Sequence, residues 1–284
     1  MSNKDLRTPI IYILTFIIVV LLIVLKKADD KNKGRNLSDS KEKIETRIDE
    51  EIDKKIIKDI KPKYKGRIGL IIDDFGYRND DVSDGFLNLN ANITFAVIPG
   101  HRYSTSFSRK AIEDGFEVIV HMPMENTGKT YGEEEFVLMT NMDSETIERR
   151  IRNAIKQIPT AVGLNNHQGS KASADQKVMS NVARVLKEKN LFFIDSRTTV
   201  ETIGEMTMEL FGVPTARRNI FLDNEDDEDK ILEQLNKLIK RSERVGFAIG
   251  IGHVKPKTLN VLKQQIPILK KEGYKFDFVS TMLH

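Results

Sequence analysis

The chain has 284 residues, 45 Lys plus Arg against 42 Asp plus Glu, a formal net charge of +3, and 39% hydrophobic residues. So even a balance argues against a nucleic-acid surface, and no basic-aromatic motif is visible. The lack of Cys excludes disulfides, thiolate metal sites and a Cys nucleophile, and leaves imidazole chemistry to His101, His121, His167, His253 and His284.

Residues 9–25 form an apolar run after Pro9, flanked by Lys4 and Arg7 before it and Lys26 and Lys27 after it. At about 17 residues it reaches the short end of a membrane span. Val24-Leu25-Lys26-Lys27 lacks the small residues of a cleavage site, so residues 1–27 read as an uncleaved anchor rather than a removed signal. The flank Lys26, Lys27, Lys31, Lys33 and Arg35, counted by the positive-inside rule, argues for the following domain lying inside. Residues 28–65 read as a charged linker. Its first part, 32–41, is a solvated tether. Ile44, Ile48, Ile52, Ile56 and Ile60 then recur every four residues, one apolar stripe on a charged helix that Pro62 ends. That stripe either lies on its own domain or pairs with a second copy in a homodimer.

From residue 66 to 284 strands and helices alternate. Strands are expected at 68–73, 93–99, 116–121, 161–166, 191–195, 219–222, 247–252 and 276–280. Helices are expected at 80–89, 104–114, 144–157, 175–189, 200–211, 228–244 and 256–272. Asp143 and Asp175 are expected N-caps, and Gly115, Gly246 and Gly273 follow helices where a left-handed residue is needed. The pattern predicts an α/β fold of about seven parallel strands, and its length favours a complete or distorted (β/α) barrel over an open sheet. The segment 125–142, with Gly128, Gly132 and three consecutive Glu, interrupts the alternation. It reads either as a functional loop on the substrate face or as a disordered insertion.

The strand ends carry the functional signal. Ile68-Gly69-Leu70-Ile71-Ile72 runs into Asp73 and Asp74, two adjacent carboxylates that either repel each other and call for compensation by a cation or simply form an Asp-Asp-x-Gly turn. The next expected ends deliver His121; Asn165, Asn166 and His167; Asp195, Ser196 and Arg197; Asp223 and Asn224; and His253. In a (β/α) barrel such ends share the face that hosts active sites. Imidazole plus carboxylate without thiolate suits Zn²⁺, and also Co²⁺, Fe²⁺, Mn²⁺ or Ni²⁺.

The blocks at 72–76 (IDDFG), 95–99 (FAVIP), 121–125 (HMPME), 165–170 (NNHQGS), 192–199 (FFIDSRTT), 221–224 (FLDN) and 249–253 (IGIGH) resemble, in that order, the divergent polysaccharide deacetylases, a branch of the metal-dependent carbohydrate deacetylases. The resemblance covers the chain from about Arg67 onward. It implies a distorted (β/α) barrel, a divalent metal that is usually zinc, and a glycan substrate losing an acetyl group from an amide nitrogen or an ester oxygen. It implies Asp74, His121 and His167 as metal ligands, Asp73 as base and His253 as acid. It also implies a domain exported or anchored outside the cytoplasm, against the positive-inside count. Asp195 and Arg197 are expected to tune base and acid, or else to form a buried structural pair. Ser196 and Glu125 are expected to contact substrate, and Asn165 and Asn166 either to orient the acyl group as substrate contacts or to cap the loop. His101, after Pro99-Gly100 at a strand end, either sits on a surface loop, the favoured reading, or lines the pocket, and His284 is given no role. The sequence departs from the superfamily in one respect. The usual H-x-x-x-H motif is missing, because Glu125 stands four residues after His121 and the second His comes from another strand. A catalytically silent glycan-binding module and a metal hydrolase of another bond, such as a phosphoester, are the alternatives.

Overall fold

A computed structural model describes residues 64–128 and 133–284. The expected anchor at 9–25, the tether and the Ile44–Ile60 helix lie outside the described residues. Among the described residues no helix is long and apolar enough to cross a membrane.

Nine strands form one sheet in which every pairing is parallel. They are β1 (Gly66–Phe75), β2 (Thr94–Val97), β3 (Glu117–Met124), β4 (Gly163–Gln168), β5 (Phe192–Asp195), β6 (Thr215–Arg217), β7 (Ile220–Phe221), β8 (Phe247–His253) and β9 (Tyr274–Phe276). The order is β6-β5-β4-β3-β2-β1-β8-β7, with β9 on β1. The two ends of this path, β6 and β7, are separated only by Arg218 and Asn219, so one stretch of chain leaves β5 and joins β8. This is the distorted parallel-strand α/β barrel that the alternation predicts.

Seven helices wrap the sheet: α1 (Asp81–Leu87), α2 (Ser104–Glu113), α3 (Ser144–Gln157), α4 (Gln176–Lys189), α5 (Gly204–Phe211), α6 (Glu228–Val245) and α7 (Pro256–Glu272). Asp143 and Asp175 do cap α3 and α4, accepting from Thr146 N at 2.7 Å and Val178 N at 2.9 Å. Gly115, Gly246 and Gly273 all take positive φ.

Three expectations need correction. β6 went unseen because three residues, Thr-Ala-Arg, carry no periodic signal. The helix expected from Val200 begins only at Gly204, after a loop closed by Asp195. The last strand is Tyr274–Phe276, and the apolar residues after it form a short 3₁₀ turn, Val279–Met282, instead. Val279 and Met282 plug the barrel floor, and a Cβ on Gly69 would lie 2.8 Å from Met282 Sδ.

The core has two compartments, and strand parity assigns residues to them. Ile71, Ile119, Phe192, Ile194, Ile249 and Ile251 pack inside the barrel with Val279 and Met282. Leu70, Ile72, Val118, Val120, Leu164 and Phe193 face the helices. Side chains alternate with a period of two along each strand. Both faces of these strands are apolar, as in any parallel sheet covered on both sides. Each fully buried Ile, Leu or Phe contributes roughly 1.5–3 kcal/mol.

Candidate metal centre

The same parity decides which polar residues meet at the barrel mouth. On β3, Ile119 faces inward, and so does His121 two residues later. On β4, Leu164 faces outward, so Asn165 and His167 face inward. On β8, Ile249 and Ile251 lead inward to His253. Registers align them: Asp73 stands opposite His253, and His121 opposite Asn165.

Asp73 and Asp74 are neighbours and should point to opposite faces. A register slip between β1 and β2 prevents this: Ile72 pairs with Phe95 but Phe75 with Val97, which leaves one extra residue on β1. Asp74 absorbs the bulge at φ 69°, a left-handed conformation uncommon outside glycine. Gln168, next to His167, is also left-handed at φ 57°. Strain of this kind at two strand ends marks positions where the surroundings over-determine the backbone.

Asp74 Oδ1 lies 3.3 Å from His121 Nε2 and 3.1 Å from His167 Nδ1, and those two nitrogens are 3.1 Å apart. Metal–nitrogen bonds of about 2.0–2.1 Å in a tetrahedron require ligand atoms about 3.3–3.4 Å apart. The triangle is therefore close to the edge length a zinc-sized ion imposes. Asp74 Oδ1 is also buried without a hydrogen-bond partner. Such an atom is costly unless a cation faces it. The donor set thus fits a divalent metal with an open fourth position.

The surrounding groups hold these atoms in place. Asn165, fully buried, accepts from His121 Nδ1 at 2.7 Å, so Nε2 is turned toward the triangle. Its amide nitrogen donates to Asp73 Oδ1 at 2.9 Å. Asp73 Oδ2 lies 3.5 Å from His121 Nε2. His253 Nδ1 lies 2.8 Å from Asp223 Oδ1, while the other Asp223 oxygen accepts from His253 N and from Thr258 Oγ1. His253 Nε2 points back into the site, 3.9 Å from Asp74 Oδ2.

Charge in this cluster is uneven. Burial would raise Asp74, but His121 and His167 more than reverse it and hold the carboxyl far below the usual range. For Asp73 burial wins over His121 and His253, and the carboxyl is raised. Burial would lower His121, yet Asp73 and Asp74 outweigh it and raise the imidazole. His253 is likewise raised, with Asp223 as the leading counterweight to burial. A cation entering the triangle competes with the proton on His121, because ligating imidazole must be neutral.

Asp73, Asp74, His121, Asn165, His167 and His253 therefore come together. Asn165 bridges His121 and Asp73 with the two ends of its amide. Asn166 has outward parity; it accepts from Ser196 N at 2.9 Å and donates to Gln168 O at 2.8 Å, which staples two loops. Asp195 shares the outward parity of Phe193. Its carboxylate accepts from Arg197 N at 2.8 Å and Thr202 Oγ1 at 2.7 Å, within its own loop. That corrects the expectation that Asp195 and Arg197 tune base and acid: the pair belongs to the β5–α5 turn, where Arg197 sits left-handed at φ 50°. Glu125 is also spent on structure, with Thr140 on one oxygen and Lys171, at 2.7 Å, on the other. Ser196 Oγ is buried with no hydrogen-bond partner and stays available to a ligand. Asp223 is the site residue sequence reasoning left without a role. Its signal was there, since it follows Phe221 by two residues and so shares inward parity.

The 125–142 segment is built onto the sheet where it is described. Leu138 bridges to Met124, and Phe136, Val137 and Leu138 are buried. His101 is not an isolated surface residue: it lies 3.0 Å from Glu133 and stacks on Tyr77.

Residues 70–283 match the family model described as divergent polysaccharide deacetylase. The uncharacterized protein YibQ of Escherichia coli (strain K12) is 37% identical over 205 residues, 72% of this chain. That match spans 64% of YibQ, slightly under two thirds of its length. The crystal structure of an uncharacterized protein from Agrobacterium tumefaciens C58 superposes with a TM-score of 0.74 at 18% identity, over 81% of this chain and 94% of that one. A mutant of a Bacillus anthracis CE4 family pseudoenzyme with restored enzymatic activity superposes at 0.51 and 17% identity, over 78% and 68%. At these identities the two structures attest the fold.

Proposed function

This chain belongs to the divergent polysaccharide deacetylase family, and from that premise we propose that it is a metal-dependent hydrolase removing acetyl groups from a glycan, at an N-acetyl amino sugar or an O-acetyl ester. The observation that carries the reading is the triangle of Asp74 Oδ1, His121 Nε2 and His167 Nδ1, with the buried Asp73 and the Asp223-held His253 beside it on neighbouring strands.

Asp74, His121 and His167 would hold a divalent ion, with zinc the expected choice, which would supply Lewis acidity and make water easier to deprotonate. Asp73 takes the proton from the attacking water. Burial favours its protonated form, and the Asn165 amide fixes Oδ1 and leaves Oδ2 free to receive the proton. His253 gives a proton to the leaving nitrogen or oxygen. Asp223 holds its Nδ1 so that Nε2 faces the reaction, and stabilises the imidazolium form. Ser196 Oγ, buried without a hydrogen-bond partner just after β5, is a hydroxyl left to bind a substrate oxygen.

The glycan reading goes with a domain held outside the cytoplasm by residues 9–25. The test is acetate release from chito-oligosaccharides and peptidoglycan fragments by the full chain, with chelator and after zinc is restored. Asp73→Asn should retain the metal while release falls about 10²–10⁴-fold. An Asp73→Asn protein as active as the parent defeats the role given to Asp73. Glycan bound without acetate release identifies a binding module instead.

A further inference from the structure

We propose, resting on the glycan reading above, that Tyr77 and His101 form a stacking platform for a sugar ring beside the metal triangle, with Glu133 as the residue that positions it.

The placement begins with the backbone. Gly76 has φ 119°, and a Cβ there would sit 2.7 Å from Ser104 Oγ and 3.0 Å from Ile98 O. Only glycine lets the end of β1 approach the β2–α2 loop this closely. Ile98 N donates to Phe75 O at 2.8 Å and Tyr103 N donates to Gly76 O at 3.1 Å, so the two loops are locked together. Tyr77 leaves one loop and His101 the other, and their rings meet with centroids 3.7 Å apart at 41°.

Glu133 then fixes the pair from a third segment. Its side chain is 3% exposed, it accepts from the Tyr77 hydroxyl, and it lies 3.0 Å from His101 Nε2. To reach them Glu133 adopts φ 53°, while its carbonyl accepts from Phe136 N and Val137 N. A non-glycine residue held left-handed to aim a buried carboxylate is strain with a purpose to be found.

The result is a ring whose hydroxyl proton is committed to Glu133 and whose one neighbour ring among the described residues is His101. Tyr77 nonetheless remains 47% exposed. What it offers a ligand is therefore chiefly aromatic surface, with the hydroxyl left only as an acceptor. It stands three residues after Asp74, whose charge adds to burial and to Glu133 in raising the phenol. The C–H face of a pyranose ring is the apolar surface of a sugar, and rigid aromatic rings beside convergent polar groups are what small-ligand sites present to it.

The test measures chitotetraose binding to the full chain by ligand-observed NMR, alongside acetate release. Tyr77→Ala should weaken binding about tenfold, and Tyr77→Phe, which keeps the ring but loses its bond to Glu133, should weaken it less, to about the extent of Glu133→Ala. Glu133→Ala should raise KM more than it lowers kcat, and Glu133→Gln, which keeps an acceptor, should restore most of that loss. Matching thermal melts and metal content guard against misfolding. Binding that depends on Tyr77 without acetate release keeps the platform and removes the hydrolytic reading. Acetate release with KM unmoved in Tyr77→Ala removes the platform and keeps hydrolysis. A parent chain that binds no chitotetraose overturns the platform.

Discussion

Asp73 and Asp195 occupy matching places, each a fully buried carboxylate at the end of an apolar strand, each pushed upward mainly by burial. Their company differs. Asp73 faces the barrel interior among His121, His253 and the Asn165 amide. Asp195 faces the helical layer, where a hydroxyl and backbone N–H groups of its own loop take its oxygens. The first environment leaves an oxygen able to gain a proton; the second satisfies both. Burial alone therefore does not distinguish a reacting carboxylate from a structural one. The groups left unsatisfied around it do.

The sharpest way to break this contrast is at the triangle. Asp74→Ala should take bound metal from about one ion per chain to background by elemental analysis, and acetate release with it. Metal retained at parental level would mean that the three atoms do not share an ion.

Next comes His253, the proposed proton donor. Asp223→Asn removes the negative charge that holds His253, and kcat/KM should fall about 10–100-fold with metal content intact. An unchanged rate would give His253 no part in the chemistry.

On the structural side, Asp195→Ala orphans the N–H groups of Arg197 and Glu205 and the Thr202 hydroxyl. It should cost about 1–3 kcal/mol in urea unfolding while the metal stays bound. Loss of metal with no loss of stability would erase the distinction between the two carboxylates.

The smallest effect lies beyond Asp195, where Glu205 and Glu209 each lie 3.3 Å from the His284 imidazole. Those two carboxylates, working against partial burial, raise His284 to about 9. A pKa raised on folding stabilises most below the unfolded value, near about 6.5, and the gain fades as pH climbs through about 9. His284 is half exposed, so after solvent screening the gain is a few tenths to about 1 kcal/mol. The melting difference between parent and His284→Asn should be widest below pH of about 6.5 and close by pH of about 10. A difference that grows with pH would reverse the sign.

The barrel class, α3 and α7 to the residue, and the polar strand ends were all legible in the sequence. Periodicity reports burial, and a titratable side chain straight after an apolar strand stands out. For Asn166 and Asp195, however, the sequence leaves a functional and a structural reading side by side, and it gives Asp223 no role. In a parallel sheet both faces of every strand are apolar, so hydrophobic pattern carries no sign for inside or outside. A shift of one residue then exchanges a ligand for a loop staple.

Which residue types arrive at the mouth of the barrel is written into the strand ends: two carboxylates from β1, imidazoles from β3, β4 and β8. Which of them meet depends on how the strands assemble. Parity turned Asn165 and His167 inward and Asn166 outward, and a single extra residue on β1, taken up at Asp74 with φ 69°, let two adjacent carboxylates face one site. Both follow from how neighbouring strands are registered, a long-range property that no local stretch of sequence contains.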